Sequence, residues 1–279
     1  MNRFIVEEQL RRFLIEDIGE RDISSETVIS PEARGRGHII AKEDGIIAGL
    51  NVFSYGYALL DSSIAIKTYK KDGERIEKGD VIAEIEGRYV SLLSGERVLL
   101  NLLQRMSGIA TVTDQAIRVL NDESIRICDT RKTVPGLRIF DKYAVRCGGG
   151  YNHRFGLSDA VMLKENHLVA AGGITRAVKT LREQLGHMIK IEVETTNEEE
   201  VREAVEAGVD VIMFDNATPE EVTAYCQLVP EGIITEASGG ISLDNLASYR
   251  GTGVDYISLG FLTHSVKAID LSFLLEEED

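Results

Sequence analysis

Charged and hydroxyl side chains close five of six short apolar runs in the second half of this 279-residue chain. If the runs are parallel strands, their carboxyl ends meet at one edge of a sheet, where α/β proteins carry their active sites. Cations follow the early runs, and carboxylates and a hydroxyl follow the later ones. The residues at these positions are Arg131, Lys132, Lys164, Glu194, Asp215, Glu236 and Ser238. The pattern predicts an anionic substrate bound beside a metal-bound one.

Two of the carboxylates, Glu194 and Asp215, end successive runs. Mg²⁺ prefers carboxylate oxygens together with water and phosphate, so this pair could hold the ion. The same carboxylates could instead form ion pairs with Lys132 or Lys164. The residue types do not separate these two uses.

Glycines follow the two last runs. Gly239 and Gly240 come directly after Ser238, and Gly260 ends the next run, each ahead of a predicted helix at residues 243–249 or beyond Thr263. Glycines at such turns let backbone N–H groups approach a phosphate at a helix N-terminus, although any single glycine could serve only a tight turn. The paired arrangement predicts a phosphate site.

A basic, glycine-rich connection spans residues 142–157. It is longer than a simple link between a strand and a helix requires, and long loops in compact domains are usually functional. His153 within it could be an acid or base, a donor to a carboxylate, or a buried structural residue. The neighbouring Arg154 favours a donor to an anion.

The apolar runs themselves predict the fold of the second half. They are separated by helix-length segments, as in repeated strand–helix units, and they lie at residues 125–132, 160–164, 190–195, 211–215, 233–238 and 256–260. Such units form a parallel sheet, and six strands instead of eight predict an incomplete α/β barrel. An open doubly wound sheet is less favoured, because no G-x-G-x-x-G follows the first strand.

The first half shows a different pattern. A helix closed by Gly19 precedes β-like runs between residues 37 and 89, which a helix near residues 52–60 interrupts, and a long helix is predicted with Ser94 as its N-cap. We therefore predict an N-terminal α+β, sandwich-like domain at residues 1–105 and the barrel at 106–265. The tail, residues 266–279, could pack back onto the first domain.

Residues 71–83 resemble the hairpin of biotinyl and lipoyl carrier domains, which suggests a carrier or interaction module as an alternative to an enzyme. Those carriers present a lysine in a Met-Lys-Met or Asp-Lys-Ala context, and no lysine of this chain has either context. A structural hairpin is the favoured interpretation.

Composition excludes several classes of function. The net charge of −15 argues against nucleic acid or an anionic membrane as a partner, because both need a broad positive surface. No run approaches the ~20 apolar residues of a membrane span, and the N-terminal residues reach charge too early for a signal peptide. A cytoplasmic protein without a nucleic-acid or membrane partner is expected.

Several segments of the chain are in register with one enzyme family. They include residues 94–97, 129–138, 142–150, 152–154, 164–167, 192–194, 214–216, 236–240 and 258–265. On these segments the chain closely resembles the quinolinate phosphoribosyltransferases, also called carboxylating nicotinate-nucleotide pyrophosphorylases, over nearly its whole length. The small departures, such as Arg21 and Val134 where glycine and threonine are common, remove no charged group.

The resemblance implies a pentosyltransferase of NAD biosynthesis. Such an enzyme uses quinolinate, phosphoribosyl pyrophosphate and Mg²⁺ and forms nicotinate mononucleotide, pyrophosphate and CO₂. It also implies a homodimer or higher assembly, because the arginine matching Arg97 enters the site from a neighbouring subunit. A related phosphoribosyltransferase with another acceptor, or a non-carboxylating nicotinate enzyme, is the rival within the same class.

Roles for single residues follow from the same resemblance. Lys132, Glu194 and Asp215 match positions near the ribose, pyrophosphate and Mg²⁺, and they are the predicted catalytic residues, with Glu194 and Asp215 as metal ligands. The two carboxylates of quinolinate are expected to bind Arg97, Arg131, His153, Arg154 and Lys164. The 5′-phosphate is expected at Ser238, Gly239, Gly240 and Gly260, and the remaining predicted substrate contacts are Thr130, Ser258 and Leu259.

Overall fold

The computed structural model describes residues 1–276, and these residues form two compact units. The first unit contains residues 1–114 and 133–149 and the chain from Ser265 onward, and the second contains residues 115–132 and 150–264. The predicted domain boundary at 105/106 falls inside a long helix that continues to Leu120. Residues 277–279 of the predicted tail lie outside the described residues.

Helices and strands alternate along most of the chain. The helices are α1 (Arg3–Ile18), α2 (Ile23–Val28), α3 (Leu50–Leu60), α4 (Tyr89–Leu120), α5 (Arg138–Cys147), α6 (Glu165–Ala171), α7 (Ile174–Gln184), α8 (Glu198–Ala207), α9 (Pro219–Cys226) and α10 (Phe261–His264). The strands are β1 (Arg34–Ala41), β2 (Gly45–Ile46), β3 (Ala65–Thr68), β4 (Arg75–Ile76), β5 (Val81–Arg88), β6 (Arg126–Cys128), β7 (Val161–Leu163), β8 (Ile191–Thr195), β9 (Val211–Asp215), β10 (Ile234–Ser238), β11 (Tyr256–Ser258) and β12 (Leu271–Leu275). A 3₁₀ turn occupies Leu246–Tyr249. Within residues 1–276, we find no helix with the length and hydrophobicity needed to span a bilayer.

The first unit is built on an antiparallel sheet with strand order β12-β1-β5-β3. Its last strand in the chain, β12, pairs with β1 from Gly37 opposite Leu275 to Ala41 opposite Leu271. The short strands β2 and β4 form a second, two-stranded sheet. Helices and an antiparallel sheet in one unit confirm the predicted α+β class.

Helices α3 and α4 pack closely within this unit because glycines stand at their contact. A Cβ on Gly56 would lie 2.1 Å from Leu99 Cδ2, and one on Gly95 would lie 2.6 Å from Leu60 Cδ1. The prediction that Ser94 caps α4 is wrong, since the helix already begins at Tyr89 and buries Leu92. Ser94 lies inside the helix and donates a hydrogen bond to Asp22 Oδ2 at 3.0 Å.

A buried ion pair joins α4 to α5. Arg105 Nε and Nη2 each donate to one carboxylate oxygen of Asp141 at 2.9 Å, and Asp141 is fully buried. Burial raises the pKa of Asp141 despite this fork. Removing one partner of such a pair leaves an uncompensated charge in the core.

Replacing Arg105 by alanine should therefore lower the free energy of unfolding by about 3–5 kcal/mol, measured by urea denaturation at pH 7. Arg12→Ala, which breaks an exposed pair with Glu8, serves as the control and should cost less than about 1 kcal/mol. Adding Asp141→Asn to Arg105→Ala should recover part of the loss. Equal losses in the two single variants would contradict the role of the buried pair.

Helix α5 corrects the prediction for residues 142–157. The segment was expected to be one long connection, but its first part is helical and belongs to the first unit. Phe140, Ala144 and Val145 recur at helical spacing and are buried, which explains why this stretch is helical despite the glycines that follow it. Of the two helices predicted after the late glycines, the first is only the 3₁₀ turn. The second was predicted beyond Thr263 and is wrong there, since α10 ends at His264 and residues 265–270 are not helical.

The second unit contains a six-stranded parallel sheet with the order β6-β11-β10-β9-β8-β7. Strands β7 to β11 are neighbours in chain order, and β6 lies beyond β11. Helices α8 and α9 separate successive strands, and each begins at a polar cap, Asn197 or Thr218, whose side chain accepts from a backbone N–H. All six predicted strands are present, and the parallel α/β class is confirmed.

Candidate active site

One face of the parallel sheet carries several polar side chains of strands β8 and β10. Side chains of a strand alternate between its two faces, so Glu192 and Glu194 of β8 point to the same side, as do Glu236 and Ser238 of β10. The parallel register places Ser238 beside Asp215 of β9. Because of this register, the hydroxyl group of Ser238 and the carboxylate of Asp215 lie side by side at the strand ends.

A cavity of about 730 Å³ opens over this face. Its lining is formed by Thr130, Arg131, Lys132, His153, Arg154, Met162, Lys164, Glu194, Met213, Asp215, Glu236, Ser238, Gly239, Gly240, Ile241, Ser242, Ser258, Gly260, Phe261 and His264. The size is that of a typical small-molecule site. The structure thus brings together all the predicted site residues except Arg97 and Leu259.

The two exceptions lie elsewhere. Arg97 is on α4 in the first unit, largely exposed, with Nη2 at 3.6 Å from Glu96 Oε1. Leu259 is buried, and its backbone N–H donates to Cys128 O at 2.9 Å. The Leu259 side chain therefore packs in the core, while its neighbours Ser258 and Gly260 face the cavity.

Arg154 is held in place but keeps one donor without a protein acceptor. Its Nη1 donates to Ala160 O at 2.9 Å, whereas its buried Nε has no hydrogen-bond partner among the described residues. Burial and the nearby Arg131 lower the pKa of Arg154, and the carboxylates of Glu192, Asp159 and Glu194 oppose that shift. A guanidinium group in this environment would gain most from a bound anion.

Lys164 and Glu194 form an ion pair at the cavity wall. For Glu194, this is one of the two uses that the sequence left open. Asp215 Oδ2 accepts from Asn216 Nδ2 at 2.8 Å. Both carboxylates end adjacent strands and line the same cavity, so their donor chemistry fits Mg²⁺.

The turn after β10 is shaped by glycines. Gly239 and Gly240 have φ values of +86° and +66°, which disfavour any residue with a side chain. A Cβ on Gly239 would also lie 2.4 Å from Asn216 Oδ1. Beside this turn, Ser258 Oγ donates to Ser238 Oγ at 2.9 Å. The result is a narrow cradle of backbone and hydroxyl groups at the strand ends.

His153 contacts two buried carboxylates at the floor of the cavity. The bridge between Tyr151 and Cys128 brings this segment alongside β6, and the His153 backbone N–H donates to Asp129 Oδ1 at 2.9 Å. Its Nε2 lies 3.0 Å from Glu192 Oε2 and 3.7 Å from Glu236 Oε1. The predicted role of His153 as a donor to substrate stays a prediction, because Nε2 faces protein carboxylates.

Glu236 is the most perturbed of these groups. Burial, the Glu192 carboxylate and Asp129 raise the pKa of Glu236 to about 7, against the lowering effects of His153 and Ser258. A carboxylate this close to another carboxylate ionises at a cost, which adds to the effect of burial and lets Glu236 hold its proton up to about neutral pH. Its Oε1 has no hydrogen-bond partner among the described residues.

Sequence reasoning assigned no site role to some residues that the structure places here. The additional lining residues are Met162, Met213, Ile241, Ser242, Phe261 and His264, and Glu192 lies against His153. Glu236, which the sequence placed at a strand end without a specific role, also lines the cavity. The alternation of side chains between the two faces of a strand is the sequence signal that identifies such residues. Counting two residues back from Glu194 selects Glu192 on the same face of the strand.

Both halves of the chain match models of one protein family. Residues 22–107 match the model "Quinolinate phosphoribosyl transferase, N-terminal domain", and residues 109–274 match the model of its C-terminal domain. A probable carboxylating nicotinate-nucleotide pyrophosphorylase of Bacillus subtilis is 54% identical over 272 residues, covering 98% of this chain and 94% of that protein. A mitochondrial decarboxylating quinolinate phosphoribosyltransferase of Nicotiana glauca is 38% identical and covers 98% of this chain and 83% of its own length.

Solved structures agree with these matches. The crystal structure of NadC from Streptococcus pyogenes aligns with a TM-score of 0.96 at 40% identity, covering 100% of this chain and 99% of that one. A nicotinate-nucleotide pyrophosphorylase from Francisella tularensis aligns with a TM-score of 0.92 at 35% identity, covering 99% and 98%. On the matches to both domain models, the close relatives and the shared fold, this chain belongs to the quinolinate phosphoribosyltransferase family.

Proposed function

We propose that the protein transfers the phosphoribosyl group of phosphoribosyl pyrophosphate to quinolinate and releases CO₂, forming nicotinate mononucleotide and pyrophosphate for NAD biosynthesis. The observation that carries this proposal is that groups suited to two different substrates line one cavity. Arginines and lysines suited to a dicarboxylate lie in the same cavity as strand-end carboxylates and a glycine cradle suited to a phosphorylated sugar.

Quinolinate would bind through its two carboxylates. Arg131, Arg154 and Lys164 line the cavity, and guanidinium forks bind carboxylates bidentately. The unpartnered Nε of Arg154 supports this assignment. The 5′-phosphate would lie at the turn formed by Gly239 and Gly240.

Mg²⁺ would be held by Glu194 and Asp215, whose carboxylates line the cavity at adjacent strand ends. When bound, the ion would neutralise charge on the pyrophosphate. Lys164 would exchange its present pairing with Glu194 for a carboxylate of the substrate. The chemistry of these residues supports the metal assignment, which binding measurements with Mn²⁺ as a probe would test.

The reaction would depend mainly on positioning and electrostatics. The pyridine nitrogen displaces pyrophosphate at C1 of the ribose through an oxocarbenium-like transition state. Lys132 would stabilise the departing pyrophosphate, and Glu194 or Asp215 the developing positive charge. After transfer, the cationic ring nitrogen stabilises the electron pair left at C2 when CO₂ departs.

The functional unit is proposed to be a homodimer or a higher assembly. Arg97 does not line the cavity, and its guanidinium group is exposed. An arginine that enters the active site of a neighbouring subunit must be exposed and lie outside its own subunit's site, as Arg97 does. The cytoplasmic location expected from the sequence stays a prediction, to be tested by cell fractionation.

Incubation of the purified protein with quinolinate, phosphoribosyl pyrophosphate and Mg²⁺ tests the activity. We expect nicotinate mononucleotide by chromatography, with no product when nicotinate replaces quinolinate and none without metal. Product from another acceptor alone would move the assignment to a related phosphoribosyl transfer.

Gly239→Ala should raise the KM for phosphoribosyl pyrophosphate by about tenfold or more, because a methyl group enters the cradle where φ is positive. The KM for quinolinate should change much less. Gly186→Ala is the matched control, since a Cβ there would contact nothing within 4 Å. An unchanged KM for phosphoribosyl pyrophosphate in Gly239→Ala would place the phosphate elsewhere.

A further inference from the structure

The proposed reaction needs a proton that no assigned residue supplies. Loss of CO₂ from C2 leaves an electron pair on that carbon, whereas nicotinate mononucleotide carries hydrogen there. One C–C bond breaks and one C–H bond forms, so an acid near C2 must give up one proton in each turnover. The acid must be neutral or cationic while quinolinate is bound, and it must lie by the anion pocket.

We propose that Glu236 is this acid, donating its carboxylic proton to C2 of the ring as CO₂ leaves, so that the C–H bond forms while the C–C bond breaks. This assignment rests on the proposed function. Glu236 lines the cavity from β10, one strand alternation below Ser238 on the same face. Its Oε1 is buried and makes no hydrogen bond to any described residue, so a proton there is available to a ligand.

The surroundings of Glu236 keep that proton in place. The groups that face it are Glu192 of β8, His153, Asp129 and the Ser258 hydroxyl of β11. The anionic neighbours and burial raise the pKa of Glu236 to about 7, while His153 and Ser258 lower it. Below that pH the group is a neutral acid, and above it the proton is lost.

The same cluster lies close to the predicted carboxylate-binding cation. The Glu192 and Glu194 carboxylates both act on the pKa of Arg154, which places Arg154 near the floor formed by His153, Glu192 and Glu236. In this proposal, a ring whose carboxylates bind Arg154 and Arg131 presents its C2 side toward Glu236, which lines the same cavity. Solvent returns the proton before the next turnover, with His153 as the adjacent titratable group.

Other cavity residues fit the requirement less well. Lys164 is engaged by Glu194, and arginine does not give up a proton in proteins. Lys132 Cδ lies next to Gly260, on the phosphate side of the cavity. Glu236 combines a buried, neutral acid with a place in the lining.

The test is Glu236→Gln in the full-length protein, with enzyme in excess over quinolinate in one turnover. Release of pyrophosphate should stay within a few-fold of the unchanged protein, while CO₂ and nicotinate mononucleotide appear about 100-fold more slowly. The ribosylated dicarboxylate should accumulate between the two steps. Glu231→Gln, which changes an exposed carboxyl ahead of β10, is the matched control.

A pH profile separates catalysis from a structural role. In the unchanged protein the rate of CO₂ release should fall about tenfold per pH unit above pH 7, because the required form is the protonated one. Glu236→Gln should lack this limb. Glu192→Gln should move the limb to lower pH, since it removes an anion that raises the pKa of Glu236.

The outcomes distinguish this inference from the proposed function. If the unchanged protein makes no nicotinate mononucleotide, both are wrong. If it does, and Glu236→Gln releases CO₂ at the normal rate or keeps the alkaline limb, only the role of Glu236 is overturned. An unmoved limb in Glu192→Gln would also overturn it, whatever the stability of Glu236→Gln.

Discussion

Arg154→Ala should lower kcat/KM for quinolinate by about 10²–10³-fold, the usual cost of truncating a buried, hydrogen-bonded charge partner. The guanidinium group is fixed through Nη1 to Ala160 O, and its Nε lies buried without a protein acceptor. The free protein therefore carries an unsatisfied donor that substrate would satisfy. The measurement is steady-state kinetics with quinolinate varied at saturating phosphoribosyl pyrophosphate.

Two control variants make the result specific. Arg154→Lys keeps the charge but not the fork, so it should fall between the unchanged protein and Arg154→Ala. Arg202→Ala removes an exposed arginine of α8 that pairs with Glu198 and should leave the kinetics unchanged. A loss in Arg154→Ala that affects both substrates equally would instead indicate a general distortion of the site.

The second half of the chain was predictable because its signals are local. Apolar runs separated by helix-length segments give β8 to β11 and their parallel arrangement without any tertiary information. The polar residue at each run's end then selects Lys164, Glu194, Asp215 and Ser238, all of which line one cavity. The polar residues found by this local pattern meet in one site because parallel strands end at the same edge of the sheet.

The carboxylate that was missed lies in a deeper layer of the sheet. Glu192 lies two residues before Glu194, and a rule that selects only the polar residue at the end of a strand does not select it. Its proximity to His153 depends on the bridge of Tyr151 to β6, which follows a helix of the other unit in the chain. No spacing in the sequence encodes that contact.

The predicted limits of two helices were wrong for a related physical reason. Ser94 has the side chain of an N-cap, but burial of Leu92 and the direct passage from β5 into the helix outweigh that preference. In residues 142–147, buried Ala144 and Val145 make a helix of a stretch that its glycine-rich continuation suggested was a loop. Tertiary burial decided both cases over local propensity.

The site chemistry divides between strong fixed charges and one titratable acid. Guanidinium groups do not give up a proton in proteins, so the binding of quinolinate by arginines should change little around neutral pH. Glu236 changes state near pH 7, so the step that needs its proton should not share that insensitivity. Binding and decarboxylation are thus expected to separate as pH rises.

Mixing Arg97→Ala with Arg154→Ala should restore activity that neither variant has alone. If Arg97 completes the site of a neighbouring subunit, a mixed dimer has one site with both arginines and one site with neither. Random pairing makes about half of the dimers mixed, so about a quarter of the unchanged activity should return. Co-expression with two different tags and sequential purification would isolate the mixed dimer, whose activity should approach half.

The geometry of Arg97 makes this experiment decisive. Its side chain is exposed on α4 and pairs only loosely with Glu96, so Arg97→Ala should fold normally and any loss of activity should come from the missing guanidinium group. Purified mixed dimers with no activity would show that each subunit uses its own Arg97. Full activity in Arg97→Ala alone would remove the residue from the site, and the cations that bind quinolinate would then all come from one barrel.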